Sequence, residues 1–340
     1  MDRRLKTVAS AARMEDVARR AGVSVTTVSR TVRTPEKVSP RTRQRVVRVI
    51  RTLGYVHNLV AGSLASHRTH VIAAIVPNID NPAYGKSIQA AAELLRRNGF
   101  HLLLGNHGFL KGEEEHLVAA FLGRRPDGFI LHGRRHTEAA KRMLTCAGIP
   151  IVELGELSGR PLDMVVSYSN FAAAKAVTTY LAKRGYQRIG IACTYMRESE
   201  RQYQRWRGYR AALRAQGMPY SPKRLAETTF GYRQGAEALL TLLKQDPDID
   251  AIFFTGDVMA VGAEQECLRR GWKVPERIAI AGFDDQEIAA EAVPALTTVR
   301  VAREDIGRVA AQMLLDRLHG KTVDPKIVDV GFRLIKRDSA

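Results

Sequence analysis

Asp284 and Asp285 stand at the end of the apolar run Ile278 to Phe283, and a carboxylate pair is common equipment for acid–base chemistry. Adjacent residues do not converge easily on one substrate atom, however, and no partner base or metal-ligand spacing accompanies them. The three cysteines, Cys146, Cys193 and Cys267, are scattered and lack CxxC or Cys–His spacing, which reads as reduced thiols rather than a metal or catalytic set. No GxxxxGK[ST] loop occurs, and no GxGxxG follows a strand. These absences argue against an enzyme and predict no cofactor and no metal. The residues with a clear chemical use lie earlier. Val25, Thr26, Ser29, Arg30 and Arg33 are small, hydroxylic or basic and share one short stretch. Such side chains reach base edges and hold phosphates.

The elements that would position them can be read from periodicity. Met14, Val17, Ala18 and Ala21 recur at helical spacing, and Gly22 supplies the stop and tight turn. Ser24 is placed to cap a second helix, with Thr27 three residues on. Two short helices joined through glycine form a helix-turn-helix. After the loop Thr34 to Val38, which contains Lys37, Ser39-Pro40 opens a third helix with Val46, Val47, Ile50 and Leu53 as its expected buried stripe and Gly54 as its end. Arg13 occupies the start of the first helix, where a capping residue is expected.

Charge supports the same partner. The formal net charge is +18, and residues 1 to 68 hold 15 Lys/Arg against 4 Asp/Glu. A fifth of the chain thus carries most of the excess, which favours a polyanion. No apolar run is long enough to span a bilayer, and the charged amino-terminal residues lack the apolar stretch of a secretory signal. A cytoplasmic protein with no membrane partner is expected.

From residue 70 the pattern changes to short apolar runs alternating with amphipathic stretches. Strands are expected at 71–76, 101–104, 128–131 and 151–154, and again at 188–192, 225–229, 251–254 and 278–283. Helical stretches such as 83–98, 112–123, 171–184 and 232–244 lie between them. Repeated strand–helix units predict two doubly wound parallel-sheet lobes, with ligands bound beyond the carboxyl ends of the strands. The fold class is therefore an all-α helix-turn-helix head plus an α/β core of two lobes.

The string Asp16-Val17-Ala18, Ala21-Gly22-Val23-Ser24, Thr27-Val28-Ser29-Arg30, Val38-Ser39, Leu53-Gly54-Tyr55, Asn58, Ala61 and Leu64-Ala65 resembles, without a gap, the head and hinge of the LacI family of repressors. The resemblance implies double-stranded operator DNA as partner. It adds Lys37, Tyr55, Asn58 and Ala61 to the contacts, with Ser24 and Thr27 at the helix start. It also implies that Asn58 to Ser66 orders as a short helix on DNA, with Leu64 wedged into the minor groove. The implied divisions are a head over 1–56, a hinge over 57–68 and a core over 69–340. Within the core, lobe one takes about 69–168 and 300–330, and lobe two about 169–299.

The core carries the resemblance too, in Asn81-Pro82, Asp127-Gly128-Phe129-Ile130, Asn170-Phe171-Ala172-Ala173, Asp257 with Ala260-Val261-Gly262, and Ala281-Gly282-Phe283-Asp284. It is similar to periplasmic sugar-binding proteins, and it places effector contacts on Tyr84, His132, Arg205, Asp257 and Asp284. Gly256 departs from the pattern, since an Asn is common there. Asp257 has an alternative use as a helix cap. The segments Arg33 to Ser39, Gly148 to Leu154 and Asp329 to Phe332 are most like the gluconate-operon repressors of this family, which implies a sugar acid such as gluconate or 2-ketogluconate. Arg205, with Arg201 and Arg207 nearby, could clamp its carboxylate. A neutral sugar is the alternative ligand, and a sugar-binding protein without regulatory role is the alternative function. No heptad-patterned segment follows Phe332, so a homodimer reading a pseudopalindrome is expected.

Overall fold

Apolar residues at three- and four-residue spacing build the head. The computed structural model describes residues 12–56, 68–157 and 159–340. It divides into two units, Met1–Thr69 and His70–Ala340. In the first, α1 (Met14–Ala21), α2 (Val25–Arg33) and α3 (Pro40–Leu53) enclose Val17, Ala18, Ala21, Val28 and Val46. Gly22 ends α1 in the left-handed region at φ 59°, where a side chain would be strained. Ser24 Oγ accepts the Thr27 N–H at 3.2 Å, and Ser39 Oγ accepts the Thr42 N–H at 3.4 Å, so both expected caps form.

Two details differ from the periodicity. Arg13 offers no side-chain cap; instead its own N–H donates to Asp16 Oδ2 at 3.0 Å, half of a reciprocal cap. In α3 the residues packed on the core are Val46, Val49, Ile50 and Leu53 rather than Val47. That set has the i, i+3, i+4, i+7 spacing of a single helix face, which Val47 does not share.

The second unit begins with a six-stranded parallel sheet. Its strands are β1 (Val71–Val76), β2 (His101–Asn106), β3 (Gly128–His132), β4 (Ile151–Leu154), β5 (Met164–Ser167) and β11 (Ile327–Asp329), in the order β11-β5-β4-β3-β1-β2. A four-stranded parallel sheet follows, β6 (Ile189–Thr194), β7 (Leu225–Thr228), β8 (Ala251–Phe254) and β9 (Ala279–Ala281), in the order β7-β6-β8-β9. Their central strands are fully buried apolar runs, as parallel strands covered on both faces must be. β5 escapes the sequence pattern because it is four residues long and follows a stretch broken by Gly155, Gly159 and Pro161.

Helices α4 (Pro82–Arg97), α5 (Lys111–Leu122) and α6 (Glu138–Ala147) serve the first sheet, and α7 (Asn170–Lys183), α8 (Glu200–Ala215), α9 (Tyr232–Gln245), α10 (Asp257–Arg269) and the short α11 (Glu287–Glu291) the second. The last long helix, α12 (Arg303–Leu318), returns to pack on α4. The chain passes between the lobes after β5, again between β9 and α12, and finally between β11 and β12 (Phe332–Ile335). Strand β10 (Thr298–Val301) pairs antiparallel with β12. The passages therefore lie on the β5/β11 side, which makes β2 the opposite edge.

Candidate DNA-reading surface and effector cleft

On the head, capping and packing decide which side chains remain available. Ser24, Val25, Thr26, Arg30, Arg33 and Lys37 are exposed, and Thr27 and Ser29 are half-buried. Val25 keeps 41 % of its surface exposed at the start of α2, unusual for an apolar residue with core nearby. The hydroxyl of Thr27 lies 2.9 Å from Ser24 Oγ, so this pair is engaged in the cap. Helix α2 has no acidic residue, and its last turn holds Arg30 and Arg33. Tyr55, expected as a contact, packs its ring with Val17, Val28 and Val46 at the edge of the head core. Asn58, Ala61 and Leu64 lie outside the described residues.

In the second unit, the ends of the parallel strands bring Tyr84, His132, Arg205 and Asp284 toward one cleft. Arg205 of α8 is 2 % exposed. Its Nε donates to Asn170 Oδ1 at 2.8 Å, one terminal nitrogen to the Thr255 carbonyl at 2.7 Å, and the other to the Tyr168 hydroxyl at 2.8 Å. Arg201, one helical turn earlier, donates to the hydroxyl of Tyr84 across the cleft and lies over its ring. The stem of Arg201 crosses Gly155, where an added Cβ would come within 2.7 Å of it. Arg303, the first residue of α12, pairs with Asp284 and donates to Tyr168 at 3.2 Å.

His132 ends β3 with Nε2 3.3 Å from Ser87 Oγ, while its buried Nδ1 has no partner among the described residues. Burial first, then the charges of Arg201 and Arg303, hold its pKa well below the usual imidazole range, so it is neutral. Asp284 has φ 111°, a strained backbone for a non-glycine residue, held by its N–H to the Val299 carbonyl at 2.8 Å.

Asp257 sits beneath the cleft. It is fully buried, and its oxygens accept from Thr298 Oγ1 at 2.6 Å and the Gln286 N–H at 2.7 Å. Neither oxygen caps α10, whose N-cap is Gly256. Asp257 thus fastens the segment that carries Asp284. Burial and the neighbouring Asp284 push its acid well above the usual range. At Gly256 the nearest atom to an added Cβ would be 3.8 Å away, so a β-carbon fits there in ordinary contact.

Arg303 and Tyr168 escaped the sequence reading. A signal existed for the first: a cation at the amino end of a helix opposes the helix dipole, and such a placement calls for an anion nearby. Arg201, in the first turn of α8, breaks the same rule.

Residues 13–58 match the family described as bacterial regulatory proteins, lacI family, and residues 178–340 match the periplasmic binding protein-like domain. The HTH-type transcriptional regulator GntR of Pseudomonas aeruginosa is 38 % identical over 329 residues, covering 96 % of this chain and 95 % of that protein. This chain belongs to the lacI family. It is accordingly a DNA-binding transcriptional regulator and not an enzyme. Among solved structures, a LacI-family regulator from Silicibacter pomeroyi superposes with TM-score 0.90 at 30 % identity, over 96 % of this chain and 99 % of that one. A CelR–cellobiose complex matches at TM-score 0.72 and 32 % identity, over 97 % of this regulator and all of that chain. Among the described residues no helix is long and apolar enough to cross a membrane.

Proposed function

We propose that this regulator is a dimeric, cytoplasmic repressor whose operator affinity is set by a sugar acid, such as gluconate or 2-ketogluconate, bound between the lobes of the core. One observation carries the acid. Arg201 and Arg205 are both more than nine-tenths buried, yet neither has a carboxylate within ion-pair distance among the described residues. A buried cation without a counter-charge is costly, and a ligand carboxylate would supply one. Asp284 is already committed to Arg303, and Asp257 is held toward its neutral form. Arg201 and Arg205 are therefore the cations at this site left without a protein carboxylate of their own among the described residues. The resemblance to gluconate-operon repressors points the same way. The dimer draws support from the edge strand β2, where Leu104 is 46 % exposed, a surface that a second subunit would cover.

Calorimetry with gluconate, 2-ketogluconate, glucose and cellobiose tests the ligand class, followed by operator binding with the compound that binds. The acids are expected to bind, and Arg201→Gln to weaken them by about tenfold or more, the worth of one charge-assisted bond. Equal binding of a neutral sugar, untouched by Arg201→Gln, would favour the reading in which the ligand resembles that of the cellobiose complex.

A further inference from the structure

The cleft is closed on the side away from the crossing segments by contacts that reach from one lobe to the other. Phe109 follows β2, the edge strand opposite β5 and β11. Tyr195 follows β6 in the other lobe. Their rings stack with centroids 4.2 Å apart and planes 18° apart. Both residues hold left-handed backbone, at φ 64° and φ 47°, a conformation uncommon for aromatic residues. Neither turn uses glycine at that position, although Gly108 precedes Phe109.

Beside the stack, Arg135 reaches from the β3 loop of lobe one into lobe two. Its Nε donates to Glu200 Oε2 at 2.7 Å, and one terminal nitrogen donates to the carbonyls of Arg197 at 2.5 Å and Met196 at 3.3 Å. Its guanidinium also lies 5.5 Å from the ring centroid of Tyr203. Gln204 Nε2 donates to the other oxygen of Glu200 at 2.7 Å and fixes that carboxylate. Behind these contacts lies a cavity whose lining includes His132, Arg201, Glu156 and Ser199, together with Phe109 and Arg135.

We propose that Phe109–Tyr195 and Arg135–Glu200 form a gate across the mouth of the effector cleft, which must open for the effector to enter or leave. The inference rests on the reading of this cleft as the effector site. The geometry leads to the gate directly. The lobes are joined covalently only on the far side, so contacts at this edge have the greatest leverage on opening. The bonds are also of a strength suited to a gate. A single aromatic stack and one half-exposed ion pair are each worth only a few-fold in an equilibrium. The gate therefore holds the closed form without locking it.

The test needs no ligand. Ser199 lines the cavity, is 7 % exposed, and its hydroxyl does not cap the helix it precedes. Ser199→Cys in the full chain, in a Cys146→Ser background, places a thiol behind the gate; Cys193 and Cys267 are buried. The rate of alkylation by iodoacetamide then reports opening. Phe109→Ala, Tyr195→Ala and Arg135→Gln, each made separately and checked for an unchanged melting temperature, should accelerate alkylation by about threefold to tenfold. Rates within error of the parent for those variants that fold would overturn the gate. Calorimetry with gluconate and 2-ketogluconate on the same proteins is the separate arm. Faster alkylation with neither gluconate nor 2-ketogluconate bound leaves the gate standing and removes the acid reading, and binding of either acid with unchanged alkylation does the reverse.

Discussion

The guanidinium of Arg205 lies 3.5 Å above the ring centroid of Phe283, with three protein groups accepting its hydrogen bonds. Asn170, one of those acceptors, donates in turn to the Gly155 carbonyl at 2.7 Å and to Glu156 at 3.0 Å. Arg205 is therefore a keystone between the crossing segment after β5, the end of β8 and the cleft, as well as a candidate ligand contact.

Arg205→Ala is expected to cost stability in addition to affinity. The change leaves the Asn170 side-chain oxygen and the Thr255 carbonyl short of a buried partner, at about 1–3 kcal/mol per group, and leaves the Tyr168 hydroxyl with Arg303 alone. A lowered urea midpoint, with an overall loss of roughly 3–5 kcal/mol, is the expected outcome. Arg201→Gln serves as the contrast, since among the described residues Arg201 donates to one protein acceptor, Tyr84. It should weaken an acidic ligand while shifting the midpoint far less. An Arg205→Ala protein as stable as its parent would show that the network is incidental to the fold.

His136 is a second place where charge is buried on purpose. Its Nδ1 lies 2.8 Å from Glu114 Oε1 and its Nε2 3.3 Å from Glu153 Oε1. Burial alone would lower its pKa, but the hydrogen bonds and charges of the two carboxylates reverse this and raise it to about 9. The folded value is above the ordinary 6.5, so the stability it contributes is complete below pH 6.5 and is lost as pH rises through about 9. At about 1.4 kcal/mol per unit the contribution is on the order of 3 kcal/mol at most. Melting of His136→Gln beside the parent checks this: its deficit should be largest at pH 6 and shrink by pH 9.5. A deficit that stays constant across that range would mean that the imidazole is not the titrating group.

The head was legible because its signals are local: a helical apolar face, Gly22, Ser24 and Ser39 each specify their own few residues. The slip from Val49 to Val47 came from a helix in which valines at 46, 47 and 49 offer two plausible stripes. In the core, Tyr84, His132, Arg205 and Asp284 were readable through the family pattern, and the structure brings them to one cleft. Arg303 was not, because it enters from a helix that returns to the first lobe, and that crossing has no local signature. The same limit hides the contacts of Gly235, Gly262 and Gly307. Each sits inside a helix, where propensity disfavours glycine. An added methyl would collide with the backbone of Met259, Tyr232 and Ser87 respectively. A mid-helix glycine announces a close approach but not what approaches.

Glu264 gives the last prediction. It lies on α10, is 3 % exposed, and neither carboxylate oxygen has a partner among the described residues. Burial is the main cause that pushes its acid up to about 8 from an ordinary 4.5. An acid raised on folding acts in the opposite sense to a salt-bridged one. Between pH 4.5 and about 8 the unfolded chain binds fewer protons at this group than the folded chain, so stability falls as pH rises across that window and levels off above it. Glu264→Gln keeps the shape and removes the titration. The variant should therefore gain on the parent progressively from pH 5 to pH 8, by an amount on the order of a few kcal/mol. Urea midpoints of both proteins at pH 5, 6.5 and 8, at one protein concentration so that assembly does not shift them, measure that gain. His136 titrates equally in both and cancels. A difference between variant and parent that does not change with pH would mean that Glu264 is ionised and paired in solution, for instance by a cation from a second subunit.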